Sequence, residues 1–206
     1  MKKRLLSVFL ILIMVLMSAC SGSEVITVKD DIRDGDETEY VKMDTFKLGD
    51  GDDGSDIDIG YCAILIPSGF SESDTVPGMY ISEHYPMESS NIYYTVSDPD
   101  EDGFVTDELT ADSYEKSIEN AHRTLGNVID LKVDAFESTD IEGVPCYKIR
   151  THYNDGDIDV QQLVYIIMAS ETHVITYSQS SDDELLYDFL NDEGEIKLVR
   201  EVSQAE

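Results

Sequence analysis

The chain has 206 residues, with 44 Asp+Glu against 14 Lys+Arg and a formal net charge of −30. That balance argues against nucleic acid as a partner, because such binding neutralises phosphates with clustered Lys and Arg. With 41% apolar residues, 12 Tyr and 6 Phe, the chain still carries the material for a folded, β-rich body rather than disorder.

The first twenty residues are MKKRLLSVFLILIMVLMSAC. Lys2, Lys3 and Arg4 precede the mostly apolar run Leu5 to Met17, and small residues then lead to Cys20. A basic start, a short apolar run and small residues before a cut define a secretory signal. The run is shorter than the roughly 20 residues a helix needs to cross ~30 Å of hydrocarbon. Ser18-Ala19-Cys20 resembles the lipobox of bacterial lipoproteins, in which the cysteine sulfur receives a diacylglyceryl group. That resemblance implies removal of residues 1–19 and lipid attachment at Cys20. It places the protein on the extracytoplasmic face of the cell membrane. Without residues 1–19 the chain keeps 11 Lys+Arg against 44 Asp+Glu, a net charge near −33. A body that acidic repels anionic headgroups, so acyl chains must hold it there.

Residues 20–40 are read as a flexible acidic tether, 41–200 as a single domain and 201–206 as a tail. Val25–Val28 and Tyr40–Leu48 show some strand-like alternation, and the acidic stretch from Gly49 to Asp58 reads as a solvated loop. Tyr61–Pro67 is an apolar run ended by Pro67-Ser68-Gly69, a strand followed by a turn. Met79–Tyr85 and Asn91–Ser97 alternate and suggest an antiparallel hairpin.

Next comes an acidic stretch with a chemical pattern. Asp98, Asp100 and Asp102 stand at positions 1, 3 and 5 of an EF-hand calcium loop, with Gly103 at 6 and Val105 at 8. That spacing brings carboxylates round one hard cation. The twelfth position is Leu109, and Glu108 falls one residue early. Two readings stand: a calcium site of Asp98, Asp100, Asp102 and Glu108, in the weak ~10⁻⁴–10⁻³ M class of extracellular modules, or a solvated acidic turn.

Tyr114, Ile118, Ala121 and Leu125 form one apolar stripe, which predicts a helix over 110–126 capped by Thr110 and ended by Gly126. Strands are expected at Val128–Phe136, Val144–Tyr153, Val160–Ala169 and Thr172–Gln179, with turns at Asp140–Gly143 and Asn154–Asp157. Val160–Ala169 is apolar on both faces from Leu163 on, which marks an interior strand. Ser181 and Glu184 have capping-box spacing for a second helix, with Leu185, Leu186, Phe189 and Leu190 as its buried face. Ile196–Val199 reads as a last strand or a helical turn. The expected fold class is α+β: an antiparallel sheet flanked by helices.

Ile64–Phe70 (ILIPSGF), the helix led by Leu109-Thr110-Ala111, and the block from Gly143 to Gln179 followed by a helix resemble the PsbP-like family. The resemblance implies an α/β/α sandwich and a non-catalytic domain that binds a partner or helps assemble a complex. It matches no functional motif residue by residue.

Cys62 and Cys146 remain once Cys20 is acylated. Outside the cytoplasm a disulfide is permitted, and unpaired Cys is equally at home in a core. The four histidines lack metal-ligand spacing, and no G-x-S-x-G occurs. Lys148, Arg150 and His152 form a positive row, read as cross-strand ion pairing or as an anion or acidic-partner site. The reading that combines these features is a lipid-anchored, non-catalytic binding or assembly module with a protein partner. The alternatives are a calcium-binding extracellular domain and a cell-wall or extracellular hydrolase.

Overall fold

The computed structural model describes residues 24–29, 37–48, 58–67, 69–97, 109–181 and 196–201. The alternation seen in Val25–Val28 and Tyr40–Leu48 becomes an antiparallel pair, β1 (Glu24–Lys29) and β2 (Glu37–Leu48). Both begin inside the stretch expected to be a tether. β3 (Asp58–Ile64) pairs with β2, and the last strand of the chain, β11 (Ile196–Glu201), closes on the other side of β3. These four make a first sheet in the order β1-β2-β3-β11.

The second sheet holds β4 (Phe70–Glu72), β5 (Met79–Ser82), β6 (Asn91–Ser97), β7 (Lys132–Ile141), β8 (Val144–Asp155), β9 (Ile158–Met168) and β10 (Thr172–Ser180). Its order is β4-β5-β6-β10-β9-β8-β7, antiparallel at each pairing. The turns fall where their chemistry requires. Asp155 pairs with Ile158 across Gly156-Asp157, and Gly156 takes φ 72. At the β7–β8 turn Glu142 and Gly143 both have positive φ, and the Asp140 carboxylate accepts a hydrogen bond from the Gly143 amide at 3.0 Å.

Between β6 and β7 lies the helix α1 (Ala111–Thr124). Thr110 caps it with a reciprocal Ser113 box, and Asp112 and Arg123 complement its dipole. The buried positions are Tyr114 and His122, with Ile118 partly buried; Leu125, expected in the stripe, is the C-cap and is exposed.

Two cores result. On one face of the second sheet, α1 lies over Tyr147, Ile149, Tyr153, Val160, Val164 and Ile166. On the other face, Ile92, Tyr94, Cys146, Leu163, Ile167, Ile175 and Tyr177 meet Cys62, Ile64 and Leu198 of the first sheet. β9 is buried from Leu163 to Ile167, as expected for a strand covered on both sides. Each such aliphatic side chain contributes about 1.5–3 kcal/mol on burial.

This corrects the expected fold class. The described residues form two antiparallel sheets and one helix, not a sheet flanked by helices. The face of the second sheet away from α1 is covered by the first sheet, built from Glu24–Lys29, Glu37–Leu48 and Ile196–Glu201 around β3. β1 and the start of β2 mix charge into their alternation, which made residues 20–40 read as tether. The second helix expected from Ser181 falls on residues 182–195, outside the described residues.

Gly78 marks the tightest backbone approach. It has φ +72, and a Cβ there would lie 2.4 Å from the Tyr94 carbonyl oxygen. Gly78→Ala should therefore cost about 2–4 kcal/mol, combining left-handed strain with a backbone clash. The measurement is the urea midpoint at an unchanged m-value; a midpoint equal to the parent's would show that β5 and β6 do not approach in this way.

Candidate binding groove

The rim of the second sheet where β8 and β9 outrun β7 encloses a groove of about 370 Å³, lined among others by Asp130, Lys132, His152, Asn154, Asp159 and Gln161. Its geometry follows from a bulge. Val133 pairs with Thr151 and Ala135 with Arg150, so Asp134 is the extra residue. The bulge delivers both Asp134 oxygens to His152 Nδ1, at 2.9 and 2.8 Å. Lys132 Nζ lies 2.6 Å from Asp130 and 3.7 Å from Glu115 of α1. The hydrogen bond to Asp130 and the surrounding carboxylates raise the Lys132 pKa. Asn154 Nδ2 donates to Asp159 Oδ1 at 2.8 Å.

His152 and Asp134 are each about half exposed. A water-open groove whose charges are already paired does not strengthen electrostatics as a dry cleft does, so it suits binding better than bond chemistry. Of the positive row, His152 is held by cross-strand pairing to Asp134, Lys148 stands opposite Glu137 and 5.9 Å from the Tyr165 ring, and Arg150 stands opposite Ala135.

A second polar cluster holds the turn between β5 and β6. Ser82 Oγ donates to Glu88 Oε2 at 2.7 Å, and His84 Nδ1 lies 3.3 Å from the same oxygen. The carboxylate stands between hydroxyl and imidazole. A nucleophile needs its hydroxyl against the base, so this wiring anchors a turn rather than activating Ser82.

Cys62 and Cys146 come from different sheets into one core, where both are free thiols with no exposure. Burial pushes Cys62 far above its ordinary value and Cys146 to about 12. Neither is a thiolate at neutral pH, so neither serves as nucleophile or metal ligand in this state.

Cys20 and the calcium-type residues Asp98, Asp100, Asp102 and Glu108 lie outside the described residues. Among the described residues no group of three or more His, Cys, Asp and Glu could hold a metal ion, and no helix is long and apolar enough to cross a membrane.

Sequence reasoning missed one buried polar chain. Tyr94 OH lies 2.8 Å from His173 Nδ1, and the Asp44 amide donates to the same hydroxyl at 3.2 Å. Tyr94 and His173 are far apart in sequence, and no local spacing announces the pair. Burial lowers the pKa of His173 to about 4, against a smaller upward pull from Glu171, and raises that of Tyr94. Tyr94 keeps its proton and donates it to the neutral imidazole.

No family model matches the chain, and no curated protein matches it either. Among solved structures it is similar to cyanobacterial PsbP from Synechocystis sp. PCC 6803, at 16% identity over 67% of this chain and 81% of that one, with a TM-score of 0.45. The chain thus bears a weak PsbP-like fold resemblance, which carries no argument about function.

His122 supplies a pH test. It is 1% exposed on the inner face of α1, edge-on to Tyr153 at 5.5 Å, and neither ring nitrogen has a hydrogen-bond partner among the described residues. Burial lowers its pKa to about 4, below the unfolded value near 6.5. The unfolded chain therefore binds the proton more readily, and stability is lost as pH falls from about 6.5 toward 4. His122→Leu should flatten that fall in thermal-denaturation midpoints, with parent and variant diverging as pH drops; parallel curves would contradict the buried, neutral assignment.

Proposed function

We propose that this chain is a lipoprotein of the extracytoplasmic membrane face whose β-rich body binds a protein partner or helps assemble a complex, without catalysis. The observation that carries the reading is the N-terminal twenty residues, ending in Ser18-Ala19-Cys20, joined to a body near −33. Such a body does not adsorb to an anionic surface by charge, so two or more acyl chains on Cys20 are its anchor.

Two features support the binding half. The β7–β9 groove is open to water with its charges paired. β7 is the outermost strand of its sheet among the described residues, and Lys132, Asp134, Glu137 and Asp140 along it are exposed. Charges on an edge discourage indiscriminate strand pairing and leave recognition to a complementary surface.

Cys20→Ala should move the protein from the membrane fraction to the soluble one with its thermal midpoint unchanged. A variant that still sediments with membranes would point to an uncleaved apolar helix instead. In-cell cross-linking from position 152 should capture one protein reproducibly in the parent; failure to do so under several growth conditions counts against the binding role.

A further inference from the structure

The first sheet begins almost at the anchor. β1 opens at Glu24, so only Ser21, Gly22 and Ser23 separate it from Cys20. Four residue steps span at most about 14 Å even when fully extended. A tether to residue 40, as the sequence suggested, would have allowed several times that reach.

We propose that β1, the outer strand of the first sheet, is seated against the headgroup layer of the membrane that carries the acylated Cys20. The inference rests on the lipid-anchor reading and adds an orientation to it: one named strand edge faces the bilayer. With its first residue, Glu24, within about 14 Å of the surface, β1 starts less than two Debye lengths from the headgroups at physiological ionic strength, so local rather than total charge decides whether it can approach.

Local charge permits the approach. Strands β1 and β2 together carry Lys29, Lys42 and Lys47 against Glu24, Glu37, Glu39 and Asp44, and the residues joining them add Arg33 against Asp30, Asp31, Asp34 and Asp36, a net −4 in a processed chain near −33. The register places lysines at the anchored end. Glu24 pairs with Lys42, Lys42 with Ala63, and Ala63 with Lys197, so this row across β1, β2, β3 and β11 holds two lysines and one glutamate. Most of the excess acidity lies elsewhere, and repulsion from an anionic surface turns it outward. As the outermost strand of its sheet among the described residues, β1 also presents a backbone edge, which polar headgroups and their water can satisfy. Val25, 58% exposed, projects from this strand.

The test uses the full, lipidated chain with Val25→Cys carrying a fluorophore; Cys20 is acylated and Cys62 and Cys146 are buried, so the label goes to position 25. The protein is reconstituted into vesicles of phosphatidylglycerol and phosphatidylethanolamine doped with a headgroup-nitroxide lipid, a quencher of short range. Inserting twelve Gly/Ser residues between Ser23 and Glu24 should reduce quenching by roughly threefold, because the added contour length of about 40 Å frees the strand from the surface. Equal, weak quenching in both proteins while both float with the vesicles overturns the seating of β1 and leaves the anchor intact. A parent that does not float with the vesicles overturns the anchor reading, and the orientation with it.

Discussion

Two sheets that pack face to face must be fixed in position by something more directional than apolar contact, and here that is the hydroxyl of Tyr94. β2 carries one extra residue between Lys42 and Thr45, and the disturbed register turns the Asp44 amide toward the other sheet. The Tyr94 oxygen accepts from that amide and donates to His173 Nδ1 on the neighbouring β10. Around this chain lie Cys62, Ile64 and Leu198 on one side and Ile92, Ile175 and Tyr177 on the other. Apolar burial supplies the bulk of the stabilisation, and the hydrogen-bonded chain selects one registry among the many that burial alone would accept.

The consequences reach both ends of the polypeptide. The first sheet exists only when β11 returns to β3 and the β1–β2 pair docks on β3's other edge. β1 and β2 carry charge among their apolar residues and β11 comes from far along the chain, so the stability of this sheet is mostly tertiary. The segment from Glu24 to Lys29, expected to be part of a tether, is thereby a folded strand.

What the sequence made legible follows from the range of the interactions involved. The α1 stripe with its Thr110 cap, the β5–β6 pair and the β8–β9 and β9–β10 hairpins rest on local periodicity and turn chemistry, and they stand close to where that chemistry puts them. The first sheet was legible only in part: Tyr61–Pro67 reads as a strand, but the alternation of Val25–Val28 and Tyr40–Leu48 is interrupted by charge, and β11, the second partner of β3, is distant in sequence. Leu125 satisfied the helical stripe on paper, yet it is the residue at which the helix ends, and His122 takes the buried place. The Tyr94–His173 pair and the bulge that brings Asp134 to His152 depend on register, which no single segment encodes. The basic row on β8 was visible from residue types alone, and the cross-strand partner of His152 became visible only with β7 in place.

The account stands or falls on the junction between the sheets, and the amide of Asp44 reports on it directly. Hydrogen exchange read residue by residue should find that amide protected in the parent, despite its place in a bulge. Tyr94→Phe, which removes the hydroxyl and with it the bonds to both the Asp44 amide and His173, should speed exchange at Asp44 by about tenfold, matching the ~1 kcal/mol or more that such a bond contributes, while amides of β7 and β8 keep their rates. An Asp44 amide that exchanges freely in the parent, or one indifferent to the loss of the hydroxyl, would contradict the docking of the two sheets described here.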